Sequence, residues 1–433
     1  MSLFGSSGIR GRVGDDITID LVTGIGAAIG NSFDRVVIGH DPRTSADMML
    51  ESLLAGTISM GASVGLAGMV STPTLARAAT FYDCGLMITA SHNPPEYNGV
   101  KMWNPDGSAF AADQMDEVER SIKQGVGGSG RWDVVGRCMP HTGAVETHIS
   151  DIMESLGTVD LSVVVDCGCG ATCNITPRLM RELGCRVRTL NSQPDGHFPG
   201  RSPEPTEDQL GDLKAIVRER GADIGIAHDG DGDRMVAVDE KGRFVDGDSL
   251  LALFASKSKG GIAAPINASM VLDEMVEGEV IRTRVGDVYV SDALKREGLQ
   301  FGGEPPGTYI FSDQTYCPDG VYAAALLASM TEDSSLSEMV DELPSYPVAR
   351  SSFSFEASRR REIESRLREE IEGTECDRLL TLDGYRAEFD DGWFLIRLSG
   401  TEPKIRITSE ARERDSLENL EARARRIVER CIS

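Results

Sequence analysis

Apolar residues in this chain fall into short runs separated by segments of helical periodicity. Arg35-Val36-Val37-Ile38-Gly39-His40-Asp41, Leu86-Met87-Ile88-Thr89-Ala90 and Ser162-Val163-Val164-Val165-Asp166-Cys167-Gly168 are brief and rich in β-branched or other apolar side chains. They read as buried strands followed by turns. Asp223-Ile224-Gly225-Ile226-Ala227 and Met235-Val236-Ala237-Val238 read the same way. Between such runs apolar positions return at helical spacing, as over residues 46–60 and 205–218. Alternating strand and helix signals predict α/β layers around largely buried, mixed sheets. Their recurrence at intervals of about a hundred residues suggests related units in tandem.

Two stretches look like boundaries. Gly125-Val126-Gly127-Gly128-Ser129-Gly130 is a flexible loop, followed by a helix-like segment at 144–156 that carries the chain into a second unit. Glu342-Leu343-Pro344-Ser345-Tyr346-Pro347 closes a third unit with two prolines. Beyond it a charged helix near 358–372, strand signals from 379 to 407 and a second charged helix at 415–431 describe a small α+β domain. The expected division is therefore 1–145, 146–244 and 245–345 for three α/β domains, and 346–433 for the last. A chain of 433 residues is long enough for three or four cores.

Composition narrows the function. A formal charge of −25 argues against nucleic-acid partners, which need a basic face. No run approaches the roughly 18 apolar residues of a membrane span, and the start does not read as a signal peptide. Nine scattered cysteines fit a reduced cytoplasm better than a disulfide scaffold. Cys167, Cys169 and Cys173 stand close together, but no His or second Cys pair lies at zinc-ligand spacing, so buried free thiols are expected.

The densest chemistry is Asp229-Gly230-Asp231-Gly232-Asp233-Arg234, three carboxylates in five residues between two predicted strands. Such close carboxylates repel unless a cation compensates, and a hard divalent ion with oxygen ligands is the natural partner. A calcium EF-hand would need glycine at the sixth position, where Arg234 stands, and flanking helices where this chain has strands. A solvated acidic turn is the plain alternative; Mg²⁺ in an enzyme site is the favoured reading. Thr89-Ala90-Ser91-His92-Asn93-Pro94-Pro95 follows another strand, which suits Ser91 to a nucleophile or phosphoryl carrier, although a serine read alone in such a place is more often an ordinary turn serine. Asn98-Gly99-Val100-Lys101 puts a cation near that turn. Arg397-Leu398-Ser399-Gly400-Thr401-Glu402-Pro403 combines glycine, hydroxyls and a guanidinium, the makings of a phosphate cradle or of a simple tight turn. Gly302-Gly303-Glu304-Pro305-Pro306-Gly307-Thr308 reads as a rigid loop projecting one carboxylate, for sugar hydroxyls or for solvent.

In this order, and with the opening Phe4-Gly5-Ser6-Ser7-Gly8-Ile9-Arg10-Gly11, these segments resemble the α-D-phosphohexomutase family over essentially the whole chain. The resemblance implies three similar α/β domains and a smaller C-terminal α+β domain around a central cleft. It implies interconversion of hexose 6-phosphate and hexose 1-phosphate through a phosphoserine and a hexose bisphosphate, which also serves as primer. Ser91 would be that phosphoserine, and Ser91, Asp229, Asp231 and Asp233 would hold one Mg²⁺. Arg10 and Lys101 match the basic residues flanking the serine, His92 lies beside it, and Arg234 matches the arginine after the metal ligands. Glu304, with Pro306, Gly307 and Thr308 around it, matches the sugar loop; Arg397, Ser399, Gly400 and Thr401 match the phosphate grip. Many members carry Ser and His where this chain has Pro306 and Thr308, and proline where it has Leu398. The wording of the sugar loop, with Arg282-Thr283-Arg284-Val285-Gly286-Asp287 upstream, is most similar to phosphoglucosamine mutases of the archaeal type, with phosphomannomutase or phosphoglucomutase activity as the alternative. A Mg²⁺-dependent sugar phosphatase and a non-catalytic sugar-phosphate-binding protein are the more distant readings. A cytoplasmic enzyme, monomeric or homodimeric, is the expected form.

Overall fold

A computed structural model describes residues 5, 8–125, 132–399 and 402–433. The strands among the described residues form four sheets, each drawn from one continuous stretch of sequence. The first runs in the order Ile9–Arg12, Tyr97–Trp103, Cys84–Ile88, Arg35–His40, Ser63–Met69, Cys138–Pro140. Its centre is parallel, and Cys84–Ile88 turns back antiparallel onto Tyr97–Trp103. In the second sheet Ser162–Asp166 lies parallel between Arg186–Leu190 and Ile224–His228, and Met235–Asp239 returns antiparallel. The third repeats the plan: Ile262–Pro265 is parallel to Val280–Thr283 and Phe301–Glu304, with Thr308–Phe311 antiparallel. Parallel strands buried on both faces are continuous in apolar residues, and Val36 to Ile38 and Val163 to Val165 are fully buried. The fourth sheet is wholly antiparallel, with helices Arg360–Glu372 and Arg414–Ile432 supplying its core. Mixed α/β sheets followed by a smaller α+β unit are thus the architecture of the chain.

Most expected elements form, with informative shifts. Helix Ala46–Ser59 and helix Ala144–Ser155 occupy the expected stretches. The segment expected to be helical from 205 starts as a 3-10 turn, Glu207–Gln209, and becomes α-helix only at Gly211–Arg220. Before it Thr206 Oγ1 donates to Asp208 Oδ1 at 2.6 Å, a local bond that competes with helix. Strand Val348–Ser354 was not expected; it lies at a sheet edge, alternates exposed and half-buried positions, and carries the polar run Arg350-Ser351-Ser352. The Glu304 loop is tighter than expected. Glu304 pairs with Thr308 in a hairpin, and only Pro305 to Gly307 leave the ladder.

The first two helices meet backbone to backbone. A Cβ on Gly26 would sit 2.2 Å from the Leu53 carbonyl, whereas one on Gly24 finds its nearest neighbour at 3.7 Å. Gly26→Ala is therefore expected to destabilise by about 1–3 kcal/mol through overpacking. Gly24→Ala should be neutral or gain up to about 1 kcal/mol of helix propensity. Urea midpoints of the two variants check this; equal shifts would show that the crossing is not close-packed.

Candidate active site

The carboxylate loop joins strands Ile224–His228 and Met235–Asp239, and its glycines are required by close neighbours. Gly232 has φ +75, and a Cβ there would meet Thr172 Cγ2 at 2.3 Å; one on Gly230 would lie 2.5 Å from the Ser91 carbonyl. The loop is thus pressed against the turn that follows strand Cys84–Ile88. On that turn Ser91 adopts φ +52, a left-handed conformation costly for a side-chain-bearing residue. Its Oγ donates to Asp229 Oδ2 at 2.7 Å and lies 3.3 Å from His92 Nδ1.

Asp229, Asp231 and Asp233 are all buried and offer oxygens within 4.8 Å of one another. Asp229 Oδ1 accepts from the backbone N–H of Gly232 at 3.0 Å and of Arg234 at 3.2 Å. Lys101, from strand Tyr97–Trp103, donates to Asp231 Oδ2 at 2.8 Å and Asp233 Oδ2 at 2.5 Å. Thr72, the first residue of helix Thr72–Ala79, donates its N–H to the Asp231 carbonyl and its hydroxyl to Asp231 Oδ2. The positive end of that helix therefore faces the carboxylates. Asp231 Oδ1 and Asp233 Oδ1 are buried without any hydrogen-bond partner. An unsatisfied buried carboxylate oxygen is costly, and two of them in one carboxylate cluster suit a hard cation. Among the described residues this is the cluster with metal-ligand geometry; Cys167, Cys169 and Cys173 are free thiols outside it.

The charges divide unevenly. Burial, then repulsion from Asp233 and Asp231, raises the Asp229 carboxyl well above the usual range. Burial pushes Asp231 the same way, but attraction and a hydrogen bond from Lys101 hold it below the ordinary value. Burial opposes the Lys101 ammonium, and its two aspartates outweigh that and raise it. His92 is lowered to about 3 by burial and by the positive charges of Arg234 and Arg10, so its ring is neutral near pH 7. Arg10 reaches this neighbourhood from strand Ile9–Arg12, where it pairs with Gly99.

A continuous path leads away from the carboxylates. Arg234 forms a β-bridge with Thr308, Met235 N donates to the Gly307 carbonyl at 2.9 Å, and Thr308 pairs with Glu304. Glu304 Oε1 accepts from Gly286 N at 2.7 Å, and the adjacent Val285 N donates to Asp383 Oδ2 at 3.3 Å. Asp383 in turn pairs with Arg397 at 2.9 Å. Arg397 Nε is buried without a partner, and the side chain lines a cavity of about 650 Å³ with Arg284, Tyr289 and Arg360. Arg360 donates to the Ser399 carbonyl at 2.7 Å. Pro306 sits exposed at the hairpin tip and lines a different cavity, beside Asp246, Asp248 and Arg350. The Thr308 side chain is buried. Gly400 and Thr401 lie outside the described residues, as do Phe4, Ser6 and Ser7 of the opening segment.

Sequence reasoning missed Thr72, whose role comes from a helix start 159 residues away from its acceptor. It also passed over Asp41 and Arg43, which fix the serine turn; a buried charged pair directly after a parallel strand was the available signal.

Comparison with known proteins shows the family. The alpha/beta/alpha domains I, II and III of phosphoglucomutase/phosphomannomutase match residues 1–126, 142–242 and 246–346, and the C-terminal domain matches 358–427. A probable phosphoglucosamine mutase of Methanocella arvoryzae is 50% identical over 435 residues, covering 100% of this chain and 99% of the relative. One from Methanosarcina barkeri is 48% identical, covering 95% and 96%. The crystal structure of a phosphoglucomutase/phosphomannomutase family protein from Burkholderia thailandensis superposes with a TM-score of 0.90 at 28% identity, over 99% of this chain and 97% of that one. The chain belongs to the phosphoglucomutase/phosphomannomutase family of α-D-phosphohexomutases.

Glu304 carries a testable pH signature. Burial, then the charge of Asp287, raises its carboxyl from 4.5 to about 7. The folded state thus binds a proton that the unfolded state has released, so stability falls as pH rises from about 4.5 to about 7. Glu304→Gln removes that dependence. The variant should gain stability relative to the parent between about pH 5 and about pH 8. A pH-independent difference in denaturant midpoint would contradict it.

Proposed function

We propose that this protein is a phosphoglucosamine mutase that moves a phosphoryl group between the 6- and 1-positions of glucosamine phosphate, with Ser91 as the carrier. Relatives named for that activity, similar over nearly their whole length, support the sugar assignment. The observation that carries the chemistry is the 2.7 Å bond from Ser91 Oγ to Asp229, beside two carboxylate oxygens with no partner.

Asp229, Asp231 and Asp233 would hold Mg²⁺, together with an oxygen on Ser91. When bound, the ion supplies neutralisation of phosphate charge. The remaining work belongs to the chain. The left-handed backbone aims Ser91 Oγ at the carboxylates, and the packed walls restrict water around it. Lys101 and Arg10 add positive charge where phosphate oxygens gather, which favours phosphoryl transfer through positioning and electrostatics. Neutral His92, 3.3 Å from Ser91 Oγ, is within reach of the hydroxyl proton. Glu304 would accept hydrogen bonds from sugar hydroxyls, and Arg397 would grip the phosphate that is not being transferred. A hexose bisphosphate formed from phosphorylated Ser91 turns end for end and returns a phosphoryl group from its other end. It also primes the serine.

Isomerisation of glucosamine, mannose and glucose 6-phosphates with Mg²⁺ and a bisphosphate primer tests the reading. Glucosamine 6-phosphate should be the best substrate. Ser91→Ala and Asp231→Ala should each lose on the order of a thousandfold or more in kcat. Near-normal turnover by either, or free phosphate as the main product, would count against the carrier scheme.

Arg397→Ala should act differently. Losing a charge-assisted pair is expected to raise KM by about tenfold to a hundredfold, with a smaller change in kcat. Unchanged affinity measured by titration with sugar phosphate would remove the grip assignment.

A further inference from the structure

Something must hold Ser91 in its left-handed conformation, and the surrounding bonds show what does. Arg43 follows strand Arg35–His40, and its side chain is wholly buried. Nη2 donates to the carbonyls of Ser91 at 2.8 Å and Asn93 at 2.7 Å. Nη1 donates to those of Pro94 at 2.7 Å and Tyr97 at 2.8 Å. Nε donates to Asp41 Oδ2 at 3.0 Å. A guanidinium has five N–H donors in a planar fork, and all five are spent on this one turn and its anchor. Asp41 Oδ2 also accepts from Thr89 Oγ1 at 2.7 Å, and Thr89 Oγ1 accepts the Ser91 N–H at 2.8 Å. Both backbone polar groups of Ser91 therefore end on the Asp41–Arg43 pair.

The pair is tied to the carboxylate loop from the far side. The Phe198 ring packs over the Arg43 guanidinium at 5.2 Å. Nearby Gly196 lies so close that a Cβ would sit 2.4 Å from Pro42 O and Thr44 N. From the same loop Arg201 donates to the His228 carbonyl at 2.6 Å and to Asp166 Oδ2 at 2.9 Å. His228 directly precedes Asp229. One loop, residues 196–201, thus touches the arginine that holds the serine turn and anchors the residue before the first carboxylate.

We propose that Arg43 is a positioning residue for phosphoryl transfer: it fixes Ser91 Oγ on Asp229, and the 196–201 loop sets its register against the carboxylates. It lies beneath the turn and acts through the Ser91 backbone. The inference rests on the carrier role given to Ser91.

Arg43→Lys keeps a positive charge beside Asp41, but an ammonium with three donors cannot serve Asp41 and four carbonyls. A displacement of about 1 Å at a reacting group costs on the order of a hundredfold in rate. Folded Arg43→Lys should therefore lose about a hundredfold in kcat while KM for the sugar phosphate stays within about threefold. Thr89→Val, which removes the acceptor for the Ser91 N–H, should shift kcat the same way by about tenfold. Circular dichroism and a melting temperature above that of the assay establish that each variant is folded. Folded Arg43→Lys with kcat within about threefold of the parent, or with the loss confined to KM, overturns the proposal. Where Arg43→Lys does not fold, parental kcat in Thr89→Val overturns it instead. Ser91→Ala, assayed in parallel, separates the two readings. Turnover there defeats the carrier role, whereas an inactive Ser91→Ala beside a fully active Arg43→Lys defeats only the positioning role.

Discussion

Three carboxylates held within 4.8 Å of one another, all buried, are the constraint around which this chain is arranged. At an effective dielectric of about 20, unit like charges 4 Å apart repel by roughly 4 kcal/mol per pair. The chain meets that cost in three ways. Lys101 bridges two of the carboxylates, backbone N–H groups and a helix start solvate them, and Asp229 is pushed toward its protonated form. Two oxygens still lack partners. Such a deficit would be selected against in a purely structural turn, because a buried acceptor with no donor only destabilises. It is what a cation site looks like from the protein's side.

The first three sheets divide the labour around this point. The first supplies Ser91, Lys101 and Arg10, the second the carboxylates, and the third the hairpin whose Glu304 and Thr308 lie beside Arg234. The fourth unit is reached through Gly286, Val285 and Asp383, a relay of backbone donors and carboxylates that ends on Arg397. Such a path separates Arg397 from Ser91 by way of Glu304, in keeping with the roles proposed for the three residues. That spacing is what a substrate with phosphates at opposite ends requires. Under that proposal, binding energy at the remote phosphate would position the reacting one.

Much of this was legible in the sequence. The strands carrying the chemistry are buried and β-branched, so their period and their turns read cleanly, and the Asp-Gly-Asp-Gly-Asp pattern has few physical meanings between two strands. What escaped was set by distant contacts. Nothing local marks Thr72 as a partner of Asp231, and the charged pair Asp41 and Arg43 after a strand does not by itself point to Ser91. The edge strand Val348–Ser354 was hidden because half its residues face solvent, leaving no apolar run. Residues 205–210 look α-helical by period, but they form only a 3-10 turn at Glu207–Gln209, with Thr206 and Asp208 bonded to each other locally. Glu304 read as a loop residue because glycines and prolines crowd around it, while the ladder to Thr308 depends on cross-strand pairing that composition does not report.

Several exceptions to ordinary rules of folding meet at one point of the structure. A non-glycine residue with positive φ, a lysine with 4% of its side chain exposed, and carboxylate oxygens without donors all lie within one junction of the first two sheets. Helices away from that point carry ordinary caps, such as those beginning after Thr18 and Ser335. Strain of this kind persists only where surrounding structure over-determines it. Here the over-determination is visible as fully used donors: five from Arg43, and the Arg201 contacts behind His228. Their bonds hold the serine and the carboxylates in register before any ligand arrives. Reorganisation at the moment of transfer is thereby small, which is the physical condition for electrostatic catalysis of phosphoryl transfer.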